Sequence, residues 1–161
     1  MKTKTKKPPI FSLLLFISLL FTAACSSDEE DFSLEGDNFS ISDIAGSWIA
    51  TSAVFDIAGT GPSQRIDVVE EGGTVTLVIQ NNGRFTLTIT QVGQASEVTT
   101  GRLGFDEDLL VVSYDDDPDE FEFFGSQFSG NNLSIQGPAE FDFDGDGIDD
   151  PARVSLDLVR N

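Results

Sequence analysis

Five carboxylates fall within nine residues near the end of this chain, in Asp142-Phe143-Asp144-Gly145-Asp146-Gly147-Ile148-Asp149-Asp150. The spacing is D-x-D-x-D-G-x-x-D, in which alternate side chains converge on one point as the backbone curls. Two carboxylates 4 Å apart repel by about 1 kcal/mol in water and about 4 kcal/mol at an effective dielectric of 20, and a hard cation between them reverses that sign. Asp142, Asp144 and Asp146 supply the alternating oxygens, and Gly147 permits the sharp turn at the sixth position. Ile148 offers its backbone carbonyl at the seventh, and Asp150 acts at the ninth, directly or through water. With no histidine and a single cysteine, the chain has no ligand set for the usual nitrogen or sulfur metal sites. Oxygen-ligated Ca2+ is the expected ion, acting as a structural clip for a closing hairpin. Mg2+ tolerates so flexible an all-carboxylate loop poorly. A solvated acidic turn is the other reading of the same residues.

The run resembles the front of an EF-hand loop and the calcium loops of thrombospondin type 3 and integrin-type repeats, which share its Asp-Gly-Asp-Gly core. The EF-hand's twelfth position is Arg153 here instead of a bidentate glutamate, and no flanking helices are readable. An EF-hand is therefore rejected. A further strong ligand must come from Asp149 or from another loop, with the Asp115-Asp116-Asp117 turn as a candidate donor.

The second residue with chemistry of its own is Cys25, the only cysteine. Ahead of it stand Lys2, Lys4, Lys6 and Lys7, then an apolar run from Ile10 to Phe21 broken only by Ser12 and Ser18, then small residues. This is the layout of a secretory signal, and twelve residues are too few for a membrane span, which needs about 20. Ala23-Ala24-Cys25 resembles the lipobox of bacterial lipoproteins, with Thr22 where that family usually has leucine. The resemblance implies cleavage before Cys25 and acylation (palmitate among the chains) of the new N-terminus. An ordinary signal peptide followed by an unpaired thiol is the alternative. Ser26-Ser27-Asp28-Glu29-Glu30-Asp31 is similar to the acidic export signal of lipoproteins displayed on the outer face of the outer membrane. It implies an outer-membrane, cell-surface location, against the plainer reading of a solvated tether.

Removal of residues 1–24 takes all four lysines and leaves five arginines against 28 acids, a net charge of −23. A chain so acidic repels nucleic acid and attracts cationic partners, so nucleic-acid binding is excluded. Serine nucleophiles have no histidine to activate them. A glycosidase needs two opposed carboxylates about 5–9.5 Å apart, and 28 acids supply such pairs by chance. No catalytic constellation is readable, and the expectation is a protein that is not an enzyme.

The elements that must position these residues read as β throughout. Residues 25–41 are an acidic tether without periodicity, and residues 42–161 form one domain. Gly46 to Asp56 opens it, and Val75, Leu77 and Ile79 alternate with polar residues. Asn81-Asn82-Gly83 is a strong hairpin turn, followed by the alternation of Phe85, Leu87 and Ile89. Further short strands run from Glu97, Leu109, Glu120 and Leu133, with Phe141 and Phe143 forming one more short face. Val154, Leu156 and Leu158 close the chain. Eight or nine strands in a meander predict an all-β, up-and-down antiparallel barrel, with a β-sandwich as the alternative.

Gly46-Ser47-Trp48 resembles the Gly-x-Trp opening strand of lipocalin-like domains. The resemblance implies that Trp48 plugs one barrel end and that a basic residue of the last strand packs across the indole. Arg160 fits, sharing parity with Leu158. Lipocalin-like domains often hold an apolar ligand, but the inward positions here (Phe85, Phe121, Phe123, Phe141, Phe143) are large enough to fill a barrel of eight strands. The expected function is a non-enzymatic, lipid-anchored binding or scaffolding module. Its partners are membrane lipid through Cys25 and a small apolar ligand, a glycan or an outer-membrane protein. A carbohydrate-active enzyme or glycan-binding module and an accessory subunit of an outer-membrane complex are the alternatives.

Overall fold

The computed structural model describes residues 33–57, 64–143 and 147–161. Among them one helical turn, α1 (Ile41–Ile44), precedes nine strands. These are β1 (Gly46–Ile57), β2 (Arg65–Asp67), β3 (Thr74–Ile79), β4 (Arg84–Thr90), β5 (Glu97–Asp106), β6 (Leu109–Tyr114), β7 (Glu122–Ser129), β8 (Asn132–Phe141) and β9 (Asp150–Arg160). Neighbours from β3 to β9 pair antiparallel in sequence order, and β3 pairs with the first residues of β1. The last strand then returns to the first, from Trp48↔Arg160 to Ile57↔Ala152. That ladder closes an eight-stranded up-and-down barrel, with β2 as an extra strand on the later part of β1. A continuous ring of pairing does not divide into two sheets, so the lipocalin-like barrel is the fold and the sandwich is set aside.

Alternation places the core. Val75, Leu77 and Ile79 of β3, Leu133 and Ile135 of β8, and Ala152, Val154, Leu156 and Leu158 of β9 are all buried. Trp48, Phe85, Phe105, Phe124, Phe141 and Leu110 fill the space between them. Each such side chain contributes about 1.5–3 kcal/mol on burial. Where the wall coils most tightly, Phe85 lies over Gly101 and Phe124 over Gly137, so that a Cβ on either glycine would strike the ring.

Two expectations need correction. Phe123 does not face inward: it is 47% exposed, and Phe124 takes the core position instead. The reason is register, since Leu110 pairs with Phe124 and Val111 with Phe123, which puts Phe124 on the face shared by Leu110 and Val112. The face of Phe141 and Phe143 is not a separate strand, because β8 runs unbroken from Asn132 to Phe141.

The stretch read as a tether is packed onto the barrel from Ser33 onward. Phe105 N donates to Ser33 O at 2.8 Å, Phe39 packs edge-on against Phe105, and Ile41 is fully buried. Phe39, Ile41 and Ile44 are irregularly spaced, so they cap a barrel end without leaving a periodic signal.

The barrel has two distinct ends. At the tryptophan end lie α1, the Asn81-Asn82-Gly83 turn, the Glu107–Asp108 turn, the Gly130–Asn131 turn and Arg160. At the acidic end lie the β2–β3 turn, the β4–β5 turn, residues 115–121 and the aspartate loop between β8 and β9.

Candidate functional site

The tryptophan end is built from a problem of unpaired carbonyls. A helix of one turn leaves its last C=O groups without partners. α1 is started by a capping box in which Ser40 Oγ accepts from Asp43 N and Asp43 Oδ2 accepts from Ser40 N at 2.8 Å. The backbone hydrogen bond from Ser40 holds the Asp43 carboxyl below the usual carboxylate range, with the Ser40 hydroxyl adding to it. At the other end of the turn three consecutive carbonyls are met by side chains. Arg160 Nη2 donates to Asp43 O at 2.7 Å, Trp48 Nε1 to Ile44 O at 2.8 Å, and Arg160 Nη1 to Ala45 O at 2.7 Å.

Arg160 Cζ sits 4.4 Å from the centroid of the indole of Trp48, which is 1% exposed. Gly46 has φ +139°, and a Cβ there would lie 2.7 Å from Arg160 Nη1, so both the backbone angle and the space require glycine. The structure thus brings Gly46, Trp48 and Arg160 into one cap. Because the indole is sealed, it is not a platform on which a sugar ring could stack. The side-chain partners at Ser40 and Asp43 were missed from the sequence, although Ser40-x-x-Asp43 ahead of an apolar run was the available signal.

The aspartate loop occupies the opposite end, between β8 and β9. Phe141 is paired with Asp150, so Asp142 and Asp150 start and finish the hairpin side by side. Phe141 is anchored below them, stacked at 4.5 Å on Phe55 and in contact with Phe143 at 5.0 Å. Gly147 N donates to Asp142 Oδ2 at 2.9 Å, which curls the chain back onto its first aspartate. Gly147 makes that turn with φ +84°. Ile148 is exposed with its side chain in solvent. Asp144 and Asp146 lie outside the described residues, as do Cys25 and residues 1–24. Among the described residues no group of three or more acidic, histidine or cysteine side chains is placed to hold a metal. The residues present fit an oxygen-coordinated cation in one respect: the first and sixth positions are already in the curled arrangement that such a loop requires.

One expected donor is committed elsewhere. Asp115 is held in a fork by Arg84 Nη1 and Nη2 at 2.8 and 2.7 Å, and Thr100 Oγ1 donates to it at 2.6 Å. The Arg84 hydrogen bond, reinforced by Thr100, keeps the Asp115 carboxyl below its ordinary range. Asp115 is therefore not a spare ligand for the loop. Tyr114, half-buried, donates to Glu122 Oε2 at 2.7 Å, and burial together with that carboxylate pushes its phenol pKa up. Tyr114 and Glu122 form a satisfied pair, with the ring edge-on to Phe85.

Comparison with known proteins adds no identity: no family model matches this chain, and no curated protein matches it.

Proposed function

We propose that this chain is a non-enzymatic lipoprotein of the outer membrane, anchored through acylated Cys25 and facing the cell exterior. Its lipocalin-like domain acts as a binding or scaffolding module, clipped by Ca2+ at its last hairpin. Asp142, Asp144, Asp146, the Ile148 carbonyl and Asp150 would hold the ion, which on binding supplies charge neutralisation for a hairpin that its own carboxylates splay apart. The observation that carries the calcium reading is the Gly147 N–Asp142 Oδ2 bond, which curls the loop at the mouth of the β8–β9 hairpin. The anchor reading rests on Ala23-Ala24-Cys25 and the lysine-led apolar run before it. Each buried acyl CH2 contributes about 0.8 kcal/mol, so a multiply acylated terminus is a durable anchor. The filled interior supports recognition at the outer surface and loops in preference to a ligand held inside the barrel.

Thermal unfolding in EDTA and in 10 mM calcium tests the clip. Extracellular sites of this class work at about 10⁻⁴–10⁻³ M, so mass action stabilises the folded state by about 1.4–2.7 kcal/mol. Tm rises by several degrees with calcium, and Asp144→Asn removes most of the rise. Equal Tm in the two buffers, with Asp144→Asn also silent, refutes the site. Metabolic labelling with palmitate tests the anchor, and recovery of unlabelled protein in the cytosol refutes it.

A further inference from the structure

The described chain starts at the tryptophan end. Phe105 N holds Ser33 O there at 2.8 Å, and Ile41 N donates to Leu34 O at 2.9 Å. Phe39 packs against both Phe105 and Phe128, at 5.3 and 5.6 Å. Covalent geometry then limits how far Cys25 can be from this end, since at ~3.3–3.6 Å per residue the chain from 25 to 33 reaches at most about 29 Å.

The barrel is about as long as that reach. Strands β8 and β9 have 10 and 11 residues. At ~3.3 Å per residue and a tilt of roughly 35–45° they span about 23–30 Å along the axis. A membrane holding Cys25 could meet the acidic end only with the intervening chain drawn out almost to its limit, which removes nearly all its conformational freedom.

Charge favours the same orientation. The acidic end carries Glu70-Glu71, the Asp115–Glu120 stretch, Asp149 and Asp150, all turned toward solvent. Two hairpin turns of the tryptophan end, Asn81-Asn82-Gly83 and Gly130-Asn131, carry no charge, and the third holds Glu107 and Asp108. The segment that covers this end adds Glu35, Asp37 and Asp43, offset in part by Arg160, fewer acids than the opposite end carries. An anionic lipid surface therefore repels the acidic end more strongly.

We infer that the barrel stands on the lipid surface by its tryptophan end and presents the aspartate loop and the other acidic turns away from the membrane. This orientation rests on the lipid anchor proposed above. It makes the acidic end the face that partners outside the cell encounter first.

The test uses the full acylated chain purified from membranes and reconstituted on phosphatidylethanolamine–phosphatidylglycerol vesicles. Acylation consumes the one native thiol, so Asn131→Cys at the tryptophan end or Asp117→Cys at the acidic end provides a unique dye site. Energy transfer to an acceptor at the lipid surface is measured beside flotation of the vesicles. The expected result is flotation, with transfer from position 131 about twofold above that from position 117, because roughly 25 Å of barrel separates them. Flotation with equal or reversed transfer overturns the orientation and leaves the anchor standing. A chain that fails to float and carries no acyl group by mass spectrometry overturns both.

Discussion

Replacing Arg160 with methionine keeps the apolar stem of the side chain and removes its charged fork. The structure lets the loss be worked out by part. Packing of the guanidinium over Trp48 at 4.4 Å is a cation–π contact of about 0.5–2 kcal/mol. The part-buried hydrogen bond to Ala45 O has a charged donor and contributes about 1.5–3 kcal/mol. The bond to Asp43 O is exposed, so water replaces it at little cost, roughly 0.5 kcal/mol. The expected destabilisation is therefore about 2.5–5.5 kcal/mol, which for a domain of this size lowers Tm by roughly 10–20 °C. Arg160→Lys keeps a cation over the ring but cannot reach two carbonyls at once, and should lose about half as much. Trp48 is the only tryptophan, so its emission during urea unfolding reports on the cap directly. Finding Arg160→Met within 0.5 kcal/mol of the parent protein, or Lys as damaging as Met, would refute the fork as the element that holds the cap at the tryptophan end.

Two more perturbations test the fold on independent grounds. Asp67 accepts from Ala53 N, Val69 N and Glu70 N through Oδ1 and from Ser52 Oγ through Oδ2. Asp67→Ala orphans the amide of Ala53, a fully buried residue, and should cost about 2–3 kcal/mol in urea unfolding. Partial burial pushes the Asp67 carboxyl up, but the four hydrogen bonds outweigh it and hold the group below its ordinary 3.8. Its contribution to stability is thus complete above that ordinary value and is lost as pH falls through the lower folded value, where the unfolded chain binds the extra proton. Asp67→Asn should flatten that acid limb, and identical limbs in the two proteins would show that the carboxylate does not carry it. Gly101→Ala drives a Cβ into Ser113 O and to 2.7 Å from the Phe85 ring, an overpacking cost of about 1–3 kcal/mol. Gly125→Ala, whose Cβ meets nothing closer than 3.9 Å, should stay within ~0.5 kcal/mol, and equal losses at the two positions would count against the tight coil at Gly101.

Much of the architecture was present in one dimension. Alternation is a local property, so Val75-Leu77-Ile79 and Val154-Leu156-Leu158 announced which face of each strand is buried. Asn81-Asn82-Gly83 announced where one hairpin turns, because those residue types accept positive φ wherever the chain goes next. The Asp142–Asp150 spacing was equally local, and so was the pairing of parity between Leu158 and Arg160. Residue types also excluded whole classes of chemistry: without histidine there is no imidazole base, and a net charge of −19 is no partner for nucleic acid.

Tertiary structure decided what depends on residues distant in sequence. Whether the meander closes is settled by β9 returning to β1, a pairing between residues 95 to 112 positions apart that no local pattern links. The choice of Phe124 over Phe123 as the core residue is settled by the partner strand, since runs of adjacent phenylalanines satisfy either register alone. Phe39 and Ile41 look like a tether until a barrel end offers them a surface to cover. Asp115 looks like a free carboxylate until Arg84 reaches it across the outer wall. Local periodicity specifies which side of an element is apolar. Only the assembled barrel specifies which apolar side chain meets which, and which polar group finds its partner there.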